Sequence, residues 1–147
     1  MNKAIIGILL VLLLANCQRD EVENRLVGTW RWEETGTGDF VYLIHKPKKG
    51  ENTYLTFSKN QTFEVTLNDT LFVTGKYRMA KTKIGSSDQI FESIRFENMV
   101  FSQQATDPNS RNFVFLADLM LIRELTSSHL FVIYDNRYQY NSSFVRR

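Results

Sequence analysis

Side chains able to carry acid–base, nucleophilic or metal chemistry are thinly spread in this sequence. There are two histidines, His45 and His129, and one cysteine, Cys17. One thiol excludes an intrachain disulfide and a Cys-based metal centre. Two histidines cannot build a multi-histidine metal site on their own. His45 stands beside Lys46, Lys48 and Lys49, and His129 follows Ser127 and Ser128 at a turn. Glu33 and Glu34 are neighbours in a strand pattern, where successive side chains face opposite ways and cannot share a proton transfer. A Ser-His-Asp constellation would need a nucleophile elbow or its equivalent, and the sequence supplies none. No phosphate loop and no dinucleotide fingerprint is present. The expectation is a protein that is not an enzyme, with no metal and no cofactor.

The clearest chemistry belongs to Cys17, because of what precedes it. Lys3 is the only charge before Arg19, and residues 4 to 15 are apolar apart from Gly7. That stretch is too short to cross a hydrocarbon core, which takes about 20 helical residues. A positive start, a short apolar centre and a small-residue end make a secretory signal peptide. The run Leu14-Ala15-Asn16-Cys17 resembles the lipobox of bacterial lipoproteins, with Asn16 where that family usually has Gly, Ala or Ser. The resemblance implies cleavage before Cys17, acylation of its thiol and amine, and attachment to a membrane. Acyl chains contribute about 0.8 kcal/mol per buried methylene, and several together hold stably. Gln18-Arg19-Asp20-Glu21 resembles the charged export signal that follows the lipidated Cys in Bacteroidetes lipoproteins. The expected location is the cell envelope, on the outer membrane, at its periplasmic or surface-exposed face.

What must position any site is a β-rich domain. Formal charge is only +2, from 18 Lys+Arg against 16 Asp+Glu, too little and too evenly spread for a nucleic-acid surface. Aromatic residues are plentiful, with 11 Phe, 6 Tyr and 2 Trp. Asp20-Glu21-Val22-Glu23 has capping-box spacing and Gly28 can close a short helical turn. Beyond it the period is two. Phe63, Val65 and Leu67 alternate with polar residues; Leu71, Val73, Gly75 and Tyr77 form a second alternating set; Ile90, Glu92, Ile94 and Phe96 form a third; Leu130, Val132 and Tyr134 form a fourth. The strands fall near 27–34, 39–46, 53–58, 62–68, 70–79, 89–97, 98–102, 112–117, 119–125, 129–135 and 138–146, and some of them merge. Residues 117–125 contain helix formers, yet Leu119 and Leu121 alternate with Met120 and Ile122, so a strand is expected there. About eight to ten antiparallel strands on short turns close into an up-and-down β-barrel or split into a sandwich. Three segments result: a signal peptide over 1–16, a lipidated N-terminus and tether over 17–25, and one barrel domain over 26–147.

Leu26-Val27-Gly28-Thr29-Trp30 resembles the Gly-x-Trp signature of the lipocalin superfamily, set on the first strand after a short turn. The resemblance implies that Gly28 allows close backbone approach, that Trp30 plugs the closed end of the barrel, and that Arg146 on the last strand packs across it. More broadly, the chain from Cys17 onward is similar to the small lipocalin-like lipoproteins of Bacteroidetes. Leu55-Thr56-Phe57 through Thr62-Phe63, then Gly75-Lys76-Tyr77, and later Ile122-Arg123-Glu124-Leu125-Thr126 follow that family's order. The long region 40–54 and the loop 103–112 depart from it.

Phe57, Phe63, Tyr77 and Phe96 admit two readings: they line a cavity for a small apolar ligand, or they fill a narrow barrel solidly. Asp69-Thr70-Leu71 matches the short O-glycosylation pattern of Bacteroidetes proteins, and an ordinary Asx turn explains it equally. Two functions therefore stand from sequence. One is a membrane-anchored lipoprotein that binds a small apolar ligand or serves as a non-catalytic accessory. The other is a packed barrel acting as an interaction module, inhibitor or accessory subunit of an outer-membrane complex.

Overall fold

The structure, a computed structural model, describes residues 21–36, 44–84, 88–102, 119–134 and 140–147. Cys17, the signal segment, and the expected strand at 112–117 lie outside the described residues.

Residues 21–26 form one helical turn and a half, α1, with Val22 and Leu26 on the face that meets the barrel. Among the described residues eight strands follow: β1 (Gly28–Gly36), β2 (Thr53–Phe57), β3 (Thr62–Leu67), β4 (Thr70–Lys83), β5 (Ile90–Phe101), β6 (Leu119–Leu125), β7 (His129–Tyr134) and β8 (Asn141–Arg146). Each pairs antiparallel with the next, and β8 pairs back onto β1, so the meander closes into a barrel. Closure pairs each strand on both sides over at least part of its length. The expected strands at 89–97 and 98–102 merge into β5. Of the strand expected at 39–46, the described part is a single bridge between His45 and Thr35.

The chain direction defines two ends. The lower end holds α1, the β2–β3 turn, the β6–β7 turn and the end of β8. The upper end holds the β3–β4 turn and the start of β8. Between them the inward side chains form one apolar cluster that includes Trp30, Leu55, Phe63, Val73, Ile94, Met120, Val132 and Phe144. The alternation read from β3 and β7 predicts these faces directly.

Bulges correct the alternation elsewhere. On β4 the partner of Val65 is Val73 but the partner of Thr66 is Leu71, so Phe72 is an extra residue. Phe72 and Val73 both turn into the core, while Leu71, expected on the inner face, is 43% exposed. An inserted residue flips every side chain beyond it. On β5 the expected inner set also breaks down: Ile94 and Phe96 are buried, but Ile90 is 64% exposed. Its stretch of β5 pairs with β4 on one side and, among the described residues, has no ladder partner on β6, where pairing stops at Ser93 and Leu121.

Candidate functional site

At the lower end, Gly28, Trp30 and Arg146 form one assembly. Trp30 is fully buried and its indole N–H donates to the Leu26 carbonyl at 2.7 Å. Arg146 is its register partner on β8, with the guanidinium carbon 4.9 Å from the ring centroid. The same guanidinium donates to the carbonyls of Arg25 (3.2 Å), Ser127 (3.3 Å) and Val27. These carbonyls end α1 and the β6–β7 turn, where backbone acceptors would otherwise lack partners. Gly28 has φ +142° and a side-chain carbon added there would sit 2.7 Å from the guanidinium. Only glycine suits both the backbone angle and the space. The geometry is that of a bolted floor.

Above this floor the four aromatic residues are brought together. Phe57 meets Tyr77 edge-on with centroids 4.9 Å apart, and Phe63 meets Phe96 edge-on at 4.6 Å. Phe57 and Phe96 stack at 6.2 Å. Such pairs lie in the preferred range for aromatic contact. Gly75 makes the cluster fit: an added methyl carbon would lie 2.7 Å from the Phe63 ring and 2.9 Å from the Glu97 carbonyl oxygen. The rings are spent on one another in this part of the barrel, which is the filled arrangement. Tyr77 donates its hydroxyl hydrogen to the Ser58 carbonyl at 3.0 Å. Burial, with a smaller push from the Glu23 carboxylate, raises its pKa from 10.0 to about 12.

Toward the upper end the interior becomes polar. Trp32 donates its N–H to Thr35 Oγ1 at 3.0 Å, Thr35 Oγ1 and Ser142 Oγ are 2.5 Å apart, and Tyr134 donates its hydroxyl to Ser142 at 2.9 Å. All four side chains are buried. The β1 bulge between Trp32 and Glu34 turns residues 32 and 35 to the same face, which a regular strand would not do. The set has four donor hydrogens and makes three hydrogen bonds among its members. The three bonds join β1, β7 and β8 in one buried polar chain. Burial raises the Tyr134 pKa far above the usual phenol value, only partly offset by Ser142, so the hydroxyl stays a donor. Sequence alternation missed this set because the bulge carries no compositional mark.

The remaining sequence candidates sit apart. Thr70 is exposed just after the β3–β4 turn, where Asn68 (φ 48°) and Asp69 (φ 64°) take the two left-handed positions of a type I′ hairpin. His45 is exposed at its bridge to β1, and His129 lies 2.9 Å from Ser143 Oγ and 3.6 Å from Glu124. Glu33 and Glu34 face Arg31 and Lys46 in surface ion pairs. Among the described residues, no group of three or more His, Cys, Asp or Glu is placed to hold a metal ion.

No protein-family model matches this chain, and no curated protein matches it. Among solved structures it is similar to a lipocalin-like protein from Bacteroides uniformis ATCC 8492, at 17% sequence identity and a TM-score of 0.49, the match covering 84% of this chain and 99% of that one.

Proposed function

We propose that this protein is a lipid-anchored, non-catalytic binding protein of the bacterial outer membrane, whose barrel receives a small, largely apolar ligand from its upper end. The observation that carries this reading is the buried polar set of Trp32, Thr35, Tyr134 and Ser142 at the upper end of an otherwise apolar interior. Hydroxyl groups buried in an apolar interior need hydrogen-bond partners, and the oxygen of a ligand can join such a set. Apolar walls with a few converging polar groups are the usual make-up of a small-molecule site. The ligand class that fits is an apolar compound carrying a carbonyl, ester or carboxyl oxygen.

The test is a titration of the chain from Gln18 onward with a lipophilic fluorescent probe, followed by displacement with a fatty acid and with the alkane of equal length. Saturable enhancement, displaced by the acid and not by the alkane, is the expected result. A linear, non-saturating signal from a protein with a folded β spectrum would refute ligand binding.

The packed aromatic cluster favours a second reading, in which the barrel is a rigid module that docks a membrane partner. In that case the probe titration fails while crosslinking in the intact envelope captures one reproducible partner, lost on substitution of surface residues.

A further inference from the structure

Among the described residues, the barrel wall parts between β5 and β6. β5 and β6 are joined by three residue pairs, Ser93 with Leu121, Ile94 with Met120 and Arg95 with Leu119. Below them residues 90–92 still pair with β4, and residues 122–125 still pair with β7 across a bulge at Arg123. A groove of about 330 Å³ opens between these two stretches, and α1 forms its third side through Val22 and Arg25.

Its lining is amphipathic. Ile90, 64% exposed, provides an apolar wall together with Val22, Ile122 and Leu125. Two carboxylates also line it: Glu92 faces Lys81 at 3.6 Å, and Glu124 lies 3.6 Å from His129, which offsets its charge only when the imidazole is protonated. Arg25 donates to the Leu125 carbonyl at 3.4 Å, and Arg123 lies over the Phe91 ring at 5.8 Å. Neither guanidinium has a carboxylate within ion-pair distance among the described residues. Two unmatched guanidinium groups beside apolar side chains describe a receptor for an anion joined to a hydrocarbon.

The position of the groove selects the source of that anion. Residue 21, where α1 begins, follows Cys17 by four residues, a span of at most about 14 Å when extended. On the reading that Cys17 is lipidated, α1 and the groove are held at the headgroup level of the same leaflet. We infer that the groove between β5, β6 and α1 binds an anionic phospholipid of that leaflet, with Arg25 and Arg123 on the phosphate and the apolar wall along the first acyl carbons. Guanidinium groups match phosphate oxygens in a two-pronged geometry that lysine cannot reproduce.

Native mass spectrometry of the full chain, released from a neutral detergent, tests the assignment. Equimolar dioleoyl phosphatidylglycerol and dioleoyl phosphatidylcholine are added, and bound lipids are counted as mass adducts. A single phosphatidylglycerol adduct, favoured at least tenfold over phosphatidylcholine, is expected. Each basic group near a membrane surface contributes about fivefold, so Arg25→Gln with Arg123→Gln weakens binding on the order of 25-fold. Lys59→Gln, at the same end and outside the groove, leaves it unchanged. Equal adducts of the two lipids, an undiminished preference in the double variant, or displacement by inorganic phosphate at equal concentration overturns the proposal. The intact mass in the same spectra reports acylation of Cys17 separately, so failure of the anchor and failure of the groove are read independently.

Discussion

Gly75 has no side chain because two neighbours already occupy the space: the Phe63 ring and the Glu97 backbone. Its backbone angle needs no glycine, so the constraint is volume alone. Gly75→Ala should therefore cost about 1–3 kcal/mol by overpacking, and Phe63→Leu in the same chain should recover part of it. Denaturant midpoints check both. Trp30 presents the opposite case, a large ring held on every side. Trp30→Ala removes the ring, its bond to Leu26 and the surface on which Arg146 lies, and should destabilise by about 3–5 kcal/mol. A near-neutral midpoint would mean the floor of the barrel closes by other contacts. Tyr77 gives a pH signature. Its folded-state pKa, about 12, lies above the unfolded value of 10.0. The neutral form is the one the fold favours, so between pH 10 and 12 the unfolded chain holds fewer protons than the native one. Stability contributed by Tyr77 is complete below pH 10 and falls as pH rises through that window. Tyr77→Phe should flatten the fall, provided the fold tolerates loss of the Ser58 bond.

At the scale of elements, the hairpin between β3 and β4 is the sharpest case of local chemistry setting structure. Asn68 and Asp69 both take positive φ, and Asn68 also accepts a hydrogen bond from the Asn52 amide at 2.8 Å through Oδ1. Glycine is better suited than aspartate to the second position, so Asp69→Gly should stabilise the protein by up to about 1 kcal/mol, read as a rise in denaturation midpoint. The same change removes the acidic residue of Asp69-Thr70-Leu71. If Thr70 carries a glycan in its native host, the intact mass drops as stability rises. This hairpin, β3 and β7 were legible because two-residue turns and strict alternation leave marks in the residue types. The inner face of β4 was not, because the extra residue at Phe72 shifts the parity without changing composition. The polar set at Trp32, Thr35, Tyr134 and Ser142 was hidden for the same reason: residues 32 and 35 share a face only through a bulge. The aromatic residues Phe57, Phe63, Tyr77 and Phe96 could be named from sequence, but whether they enclose space or fill it depends on centroid distances set by three different strand registers.

For the whole molecule, closure gives the barrel a polarity that a membrane anchor would use. α1, the β2–β3 turn with Lys59 and the Arg146 assembly all lie at one end, and the Asn68-Asp69 hairpin lies at the other. A lipid on Cys17 would lie within about 14 Å of the start of α1 along the chain. The lower end, with the groove beside Arg25 and Arg123, would then face the bilayer, and the buried hydroxyl set would lie toward the opposite end. Two measurements separate the anchor from the orientation. Cys17→Ala should move the protein from the membrane fraction to the soluble fraction after signal cleavage, and unchanged fractionation would remove the basis for a lipid anchor. With Cys17 intact, an environment-sensitive fluorophore carried as a ketone-bearing residue at position 59 should be quenched by headgroup-labelled lipid, while the same label at position 69 should not. Equal quenching at both sites would mean that the tether does not fix the barrel, and the upper end could not be the route by which a ligand arrives from the aqueous side.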